Sequence, residues 1–567
     1  MPDNRLDPLR QGQGEIANHI IDEFAAGRLS RRDFIRRGTV VGISVPLLGS
    51  ILAACGSSSS SSAPTTGSTS GSGSASGTPG ATIKVGIETP TGAINPLTVA
   101  DQGGLDMLAQ TGEYLCLSGQ TLNLTPVLAT SWTPNSTADQ WTFKIRQGVK
   151  FHNGAPLTAD DVVYTYQLHT NKTNGSSALS AFGGVLSPSG VTKVDDFTVS
   201  FKLNAPNGNF PYLCSSDNYN MIILPKGYDP TKWETTFVGT GPFKLGSYTA
   251  KSGATFVRNA DYWGTKALPS QTIFTFYDTQ APSILALTGG QIDVLGQFSV
   301  AGGEQLLGGS YNIIKLKSSA HRELSMRCDQ PPFNDARVRQ ALALSLDRPG
   351  IVSALFKGDA DLGNDSPFAP VFPSTDTSVP QRALNVAQAK SLLAAAGHSG
   401  GLSTSLRTEN VQEIPSLAQV VVQAASAIGV KINLTVEAQS AYYGKATFGN
   451  SDWLDAPMSL VDYGHRGVPN VFLGAPLQTT NATTGTGSWN AAHFANSSYD
   501  KLFSQYVAAV DVSSQRSLAG QIQRLLLDQT PIIYPYFYNY LSATASNISG
   551  AYPTAIGHIY LYGASKS

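Results

Sequence analysis

Residues 141–164 read WTFKIRQGVKFHNGAPLTADDVVY, a stretch that places a strand, a turn and a helix in direct succession. Its first part, 141–151, alternates apolar and polar side chains with a turn at Gly148, which is the period of a half-buried strand. In the second part, Thr158 and Asp161 have the spacing of a capping box at the start of a helix. The stretch therefore predicts a strand that leads into a helix over 156–169.

The same alternation of strands and helices continues outward in both directions. Period-two patterns predict further strands over 81–89, 197–203, 271–278 and 430–438. Cap and stop signals predict helices over 331–352, 384–397 and 513–530, the first of them capped by Asn334 or Asp335 and stopped or restarted at Pro349. Helices and strands in alternation predict the α/β class with mixed sheets.

Residues 1–54 have the organisation of an export signal. Arg31 and Arg32 stand in SRRDFIRR, and the uncharged segment 38–54 that follows rises only about 25 Å as a helix, too short to span a bilayer comfortably. The arginine pair resembles a twin-arginine export signal, and LAAC at 52–55 resembles the bacterial lipobox. The resemblance implies cleavage before Cys55 and attachment of lipid to its sulfur.

The segment after Cys55 predicts a flexible tether. Residues 56–80 contain 11 Ser and 6 Gly and no charged residue, a composition that cannot bury enough apolar surface to fold. We therefore expect 55–81 to be a lipid anchor and tether, with the globular body beginning near Thr82 outside the cytoplasm.

Composition limits the classes of function. The chain has 567 residues, a net charge of −1 and 14% charged residues, so it lacks the basic character of nucleic-acid-binding proteins. Its length predicts two or three domains, and we expect a monomer. Cys116, Cys214 and Cys328 remain beyond the anchor, which leaves open one disulfide with a free thiol or three unpaired thiols.

Five segments, in chain order, resemble the family of extracytoplasmic solute-binding proteins that serve peptide and nickel ABC transporters. They are 128–164, GTGPFKL at 239–245, RNADYWG at 258–264, LTGGQID at 287–293, and PPFNDARVRQALALSLDR at 331–348. The resemblance implies a two-lobed periplasmic-binding-protein-like fold that closes on its ligand, with an extra inserted domain near the N-terminus. It divides the chain into lobe I (82–125, 238–335 and 515–567), the inserted domain (126–237) and lobe II (336–514).

The segment SLVDYGHRGVPNVFL, 459–473, matches the family's ligand-binding stretch. Asp462, followed by Tyr463, falls on the aspartate that holds the ligand's N-terminal ammonium group in peptide-binding members, although an aspartate that caps a turn is the alternative. The sequence departs from the family pattern at His465 and Arg466. These residues either supply donors for a ligand carboxylate or phosphate, or are solvated loop residues.

Further ligand-binding candidates come from three other segments. Thr98 to Gln102, which includes Ala100, matches the stretch that pairs with the ligand backbone in the family. Tyr536 and Tyr538 lie in the aromatic run 531–541 and offer a flat face and a hydroxyl. Trp489, in TTGTGSWN, is expected to be either a mobile lid or a surface residue.

The resemblance implies a lipid-anchored substrate-binding component of an ABC importer, which captures short peptides and delivers them to a membrane permease. An oligosaccharide or, less favoured, a nickel chelate is the alternative ligand. We expect no enzyme, because GHSGG at 397–401 follows a predicted helix whereas a nucleophile elbow follows a strand. We expect no cofactor, no bound metal and no nucleic-acid partner; the membrane is contacted through the lipid on Cys55.

Overall fold

The computed structural model describes residues 80–483 and 485–567. The predictions for the export signal, Cys55 and most of the tether lie outside these residues. Within the described part of the chain, no helix has both the length and the apolar character needed to cross a membrane.

The first sheet has seven strands, and the strand nearest the N-terminus lies in its middle. Thr82–Glu88 pairs in parallel with both Gln271–Tyr277 and Val294–Leu295, and the outer strands pair antiparallel, so the sheet is mixed. In spatial order its strands are Asn312–Leu316, Tyr540–Thr544, Val294–Leu295, Thr82–Glu88, Gln271–Tyr277, Gly253–Arg258 and Phe243–Thr249.

The second sheet is also mixed. Its strands lie in the order Ala360–Leu362, Tyr536–Tyr538, His321–Met326, Met458–Tyr463, Leu402–Glu409 and Val430–Glu437, and Ile532–Ile533 pairs with the third of them. The strand His321–Met326 is buried at every position, although it begins with His, Arg and Glu. Buried charges require partners, and those of this strand lie at the candidate site described below.

A four-stranded antiparallel sheet contains the stretch from which the fold was predicted. Its strands lie in the order Ala129–Pro134, Gln140–Ile145, Thr198–Lys202 and Val191–Asp195. The predicted strand over 141–151 ends at Ile145, because the chain then turns through Gly148, whose φ of +79° favours glycine.

The helix that follows begins as predicted. It spans Ala159–Thr170, and the carboxylate of Asp161 accepts a hydrogen bond from the backbone N–H of Thr158 at 2.8 Å. Its inner face packs Tyr166 against Phe201 with ring centroids 4.8 Å apart.

The segment predicted as helical over 331–352, with a stop or restart at Pro349, forms two helices. The side chain of Asp335 caps Ala336–Leu344, and Arg348–Phe356 starts again around Pro349 behind an Asp347 cap. Within 80–483 and 485–567, the remaining helices longer than one turn are Gln102–Thr111, Gln280–Thr288, Val386–Ala395, Ile414–Ala427, Gln439–Tyr443, Asn470–Gly474, Ser497–Ala508 and Val512–Gln529. Short helices span Leu179–Phe182, Phe210–Leu213, Trp233–Thr236, Glu304–Leu307 and Asp452–Asp455.

The RNADYWG segment surrounds a buried carboxylate. Glu113 accepts hydrogen bonds from the Tyr262 hydroxyl at 2.6 Å, the Trp263 indole at 2.9 Å and the Thr240 hydroxyl at 2.7 Å. Burial raises the pKa of Glu113, and these donors oppose that rise. The two aromatic residues therefore satisfy a carboxylate in addition to their packing role.

The chain crosses between the two large sheets at two places that lie side by side. One crossing joins Leu316 to His321 and the other joins Tyr538 to Tyr540. The Ser318 hydroxyl donates to the Tyr538 carbonyl at 2.5 Å, and the Tyr538 N–H donates to the Ala320 carbonyl at 2.9 Å. The α/β class with mixed sheets is confirmed, and Cys116, Cys214 and Cys328 are all unpaired thiols.

Candidate functional site

A cavity of about 270 Å³ lies beside the two crossings, where the large sheets meet. Gln102, Gln297 and Tyr540 line it from the first sheet and its neighbouring segments, and Tyr538 lines it from the second. A second cavity of about 200 Å³ shares Gln102 and Gln297 with the first and extends to Glu88 and Gln412. The two adjoining cavities form a polar cleft between the sheets.

Several of the predicted ligand-binding residues meet at the first cavity: Ala100, Gln102, His465, Arg466 and Tyr538. Gln102 is the first residue of the helix Gln102–Thr111, which is capped by the side chain of Asp101. The Gln102 amide donates to the Tyr540 hydroxyl at 2.5 Å, which fixes its side chain at the cavity wall.

Asp462 lies beside this site, on the strand Met458–Tyr463 next to the strand that contains Arg322, and lines neither cavity. The two residues are directly opposite each other in the antiparallel pairing, and Arg322 Nη1 donates to Asp462 Oδ1. The Tyr538 hydroxyl donates to the same oxygen at 3.3 Å. The Asp462 side chain is 30% exposed, and its Oδ2 accepts no hydrogen bond from the residues that the structure describes. That oxygen therefore remains available to a ligand.

Arg322 is a site residue that the sequence reasoning missed. Its side chain is fully buried, its Nε and Nη2 donate to the two carboxylate oxygens of Glu413 at 2.8 and 3.1 Å, and Nη2 also donates to Gln412 at 2.9 Å. Its guanidinium carbon lies 4.4 Å from the centre of the Tyr538 ring, within cation–π distance. Burial lowers the pKa of Arg322, but the neighbouring charges of Asp462 and Glu413 outweigh it and raise the pKa overall. The only hint in the sequence was the run His-Arg-Glu at the start of a strand.

The other predicted residues of this region do not line the first cavity. Tyr536 is buried and donates its hydroxyl to Glu413 at 2.7 Å. Tyr463 is buried and stacks on His321, with centroids 5.6 Å apart and an interplanar angle of 11°. Trp489 is half-buried, and its ring centroid lies 6.4 Å from that of Tyr463. These residues support the strands that carry Asp462 and Arg322.

His465 and Arg466 line the first cavity, but they differ in charge. The backbone N–H of Ser319 donates to His465 Nδ1 at 3.0 Å, which places the proton of the neutral ring on Nε2. Burial and the neighbouring Arg466 lower the pKa of His465 to about 3, so the ring is neutral at physiological pH. Arg466 is therefore the cation of this loop.

The next residue of the loop, Gly467, packs its Cα closely against the side chain of Asp217. A Cβ atom at this position would lie 1.7 Å from a carboxylate oxygen of Asp217, so a larger residue would displace that carboxylate. Burial raises the pKa of Asp217 to about 7, although the Ser118 hydroxyl and the charge of Arg466 both lower it.

A third cavity, of about 360 Å³, is lined in part by Gly467, Val468 and Pro469 of the same loop. Trp132, Trp141, Tyr212 and Tyr506 contribute to its wall, and none of its lining residues carries a formal charge. Among the described residues, no group of three or more His, Cys, Asp or Glu side chains is arranged to hold a metal ion. Of the three cavities, the two of the cleft have a charged side chain in their walls, Arg466 in the first and Glu88 in the second.

The chain matches a known family over more than half of its length. Residues 123–479 match the family model described as bacterial extracellular solute-binding proteins, family 5. The chain is 27% identical over 501 residues to the oligopeptide-binding protein AppA of Bacillus subtilis, a match that covers 83% of this chain and 89% of that protein. It is 25% identical over 475 residues to heme-binding protein A of Haemophilus influenzae, covering 78% of this chain and 84% of that protein.

The structure resembles solved structures of the same fold. HbpA2 of Haemophilus parasuis superposes with a TM-score of 0.74 at 23% identity, and the match covers 86% of this chain and all of that one. The predicted periplasmic-binding-protein-like fold is confirmed. Membership of this family makes the chain a solute-binding protein that serves transport, and not an enzyme. The chain belongs to the bacterial extracellular solute-binding proteins of family 5.

Proposed function

We propose that this chain is the substrate-binding component of an ABC importer, and that it captures short peptides in the cleft between the two large sheets. The observation that carries the proposal is the partly exposed carboxylate of Asp462, which Arg322 and Tyr538 hold beside the cleft with Oδ2 free. A carboxylate fixed in this way is a partner for the N-terminal ammonium group of a peptide, through a short charge-assisted hydrogen bond.

The rest of the cleft suits a peptide backbone. Amide side chains at Gln102, Gln297 and Gln412 line the adjoining cavities and can both donate and accept hydrogen bonds. Arg466 also lines the first cavity, and its positive charge suits a ligand carboxylate. The relative AppA carries an oligopeptide-binding name, which supports the same class of ligand.

The two crossings are the proposed hinge. Sheet membership supports placing the division between the lobes at 316–321 and at 538–540, whereas the boundaries predicted from sequence fell after 335 and before 515. Crossings held together by Ser318 and Ala320 allow the lobes to rotate about one line. A ligand that contacts both lobes then favours the closed form by the free energy of those shared contacts.

Export and anchoring complete the proposal. The twin-arginine segment and Cys55 would place the body on the outer face of the cell membrane, attached by lipid, where the closed form delivers its ligand to a permease. The support for this part is the sequence of residues 30–62 and the extracellular description of the family.

Mass spectrometry of ligand released from the purified body, residues 80–567, on denaturation tests the proposal. Short peptides with free N-termini are the expected result. A heme, an oligosaccharide or a nickel chelate in their place would contradict peptide capture while leaving the family assignment intact.

A further inference from the structure

The buried charge of Arg322 is shared between two carboxylates that reach it from different elements. Glu413, just before the helix Ile414–Ala427, binds it with both oxygens, and Asp462 binds it with one. We call Arg322, Asp462 and Glu413 the guanidinium cluster. One guanidinium against two carboxylates leaves the cluster with one formal negative charge.

Residues that are hydrogen-bonded to the guanidinium cluster line both cavities of the cleft. Tyr538, which donates to Asp462, lines the first cavity, and Gln412, which accepts from Arg322, lines the second. Gln412 has a φ of +48°, a backbone conformation that residues other than glycine rarely adopt. The hydrogen bond from Arg322 to its side chain offsets part of the conformational free energy of this strained backbone. None of the three cluster residues lines either cavity, but charges a few ångströms apart interact strongly in a partly desolvated site.

The neighbouring carboxylate, Glu409, has hydrogen-bond donors of its own outside the guanidinium cluster. It is buried and accepts hydrogen bonds from the Tyr443 hydroxyl at 2.6 Å and the Gln439 amide at 3.0 Å. Burial raises the pKa of Glu409, and the charge of Asp462 raises it further. Glu409 therefore makes no hydrogen bond to Arg322, which pairs with Asp462 and Glu413.

We propose that Arg322 is the residue that sets the charge specificity of the ligand-binding cleft. It offsets one of the two carboxylates, so that the site accepts a ligand end with a single ammonium group and gains nothing from a second. This inference rests on the proposed function, because it assumes that Asp462 receives the ammonium group of a peptide.

The test compares two peptides of equal length that differ in one charge, Lys-Ala-Ala and norleucyl-Ala-Ala, by isothermal titration calorimetry. The parent protein is expected to bind them with affinities within twofold of each other. Arg322→Met leaves two uncompensated carboxylates and is expected to prefer the lysine peptide at least tenfold, whereas Arg322→Lys keeps the charge and the parent preference. A folded Arg322→Met variant with the parent preference would overturn the proposal.

A second variant keeps the test decisive if Arg322→Met does not fold. Glu413→Gln retains the shape and an acceptor for Arg322, but makes the guanidinium cluster neutral. It is expected to weaken both peptides at least tenfold, although Glu413 lines neither cavity. Unchanged affinity in this variant would contradict the role of the cluster charge. Glu304→Gln is the matched control, because Glu304 is 68% exposed and pairs with Lys357 on the surface.

The two proposals fail in different ways. If Asp462→Asn binds both peptides as the parent does, the ammonium role of Asp462 is wrong, and the proposal for Arg322 falls with it. If Asp462→Asn weakens binding while Glu413→Gln and Arg322→Met leave both affinities unchanged, only the proposal for Arg322 is wrong.

Discussion

Arg322 and Asp462 face each other across two antiparallel strands of the second sheet, and the buried guanidinium of Arg322 donates to the partly exposed carboxylate of Asp462. Directly opposite side chains in an antiparallel pair lie within contact distance, so the strand register itself produces this ion pair. The carboxylate is thereby oriented before any ligand arrives, which lowers the entropy lost on binding.

Replacement of Asp462 tests its role as the partner of a ligand ammonium group. Asp462→Asn keeps an oxygen that can accept from Arg322 but removes the negative charge, and we expect it to weaken peptides with free N-termini more than tenfold. Asp462→Ala also removes the acceptor and is expected to weaken them at least as much. Titration calorimetry with tripeptides measures both effects, and parent-like affinity in both variants would contradict the role.

Tyr538 contributes to the site with both its ring and its hydroxyl. Tyr538→Phe keeps the ring over Arg322 and loses one hydrogen bond of 3.3 Å to Asp462, so we expect peptide affinity to fall only two- to threefold. Tyr538→Ala also removes the cation–π contact and part of the cavity wall, and a loss of tenfold or more is expected. Equal losses in the two variants would show that the ring contributes nothing.

Much of the fold follows from local sequence patterns, whereas the site depends on pairings that are distant along the chain. The start of the helix at Thr158 is determined by the capping box of residues 158–161, and the structure confirms it. Asp462 and Arg322 are 140 positions apart, and Glu413 is 91 positions from Arg322, so no local pattern joins them. A buried strand that begins with charged residues signals such partners without identifying them.

Glu113 is predicted to be a major contributor to stability. Glu113→Ala leaves the donors of Thr240, Tyr262 and Trp263 without their acceptor, and an unsatisfied buried group costs about 1–3 kcal/mol. We expect the free energy of unfolding to fall by about 3–5 kcal/mol in urea denaturation. A change below about 0.5 kcal/mol, as expected for the exposed control Glu304→Ala, would contradict this role.

Asp217 is predicted to make stability depend on pH near neutrality. Its pKa is about 7 in the folded protein, against about 3.9 for an unperturbed aspartate, so the folded state binds the proton more tightly. Its contribution to stability is complete below about pH 4 and is lost as the pH rises through about 7. Between pH 5 and 8, the parent should therefore lose about 2–3 kcal/mol relative to Asp217→Asn. Parallel pH profiles for the two proteins, measured by urea denaturation, would contradict the raised pKa.

The predicted lipid anchor is tested by Cys55→Ser in cells that process lipoproteins. Loss of the only sulfur in the lipobox-like LAAC segment removes the attachment point, so the variant should leave the membrane fraction and enter the soluble one. Immunoblots of fractionated cells report the distribution. Retention of the variant in the membrane fraction would contradict anchoring through Cys55.

The most direct measurement is the affinity of the parent protein for a mixture of tripeptides with free N-termini, compared with the same mixture after N-acetylation. Acetylation removes the positive charge and leaves the rest of each peptide unchanged. If Asp462 receives the ammonium group, the free peptides bind at least tenfold more tightly than the acetylated ones. Equal affinity for the two mixtures would contradict ammonium capture by Asp462.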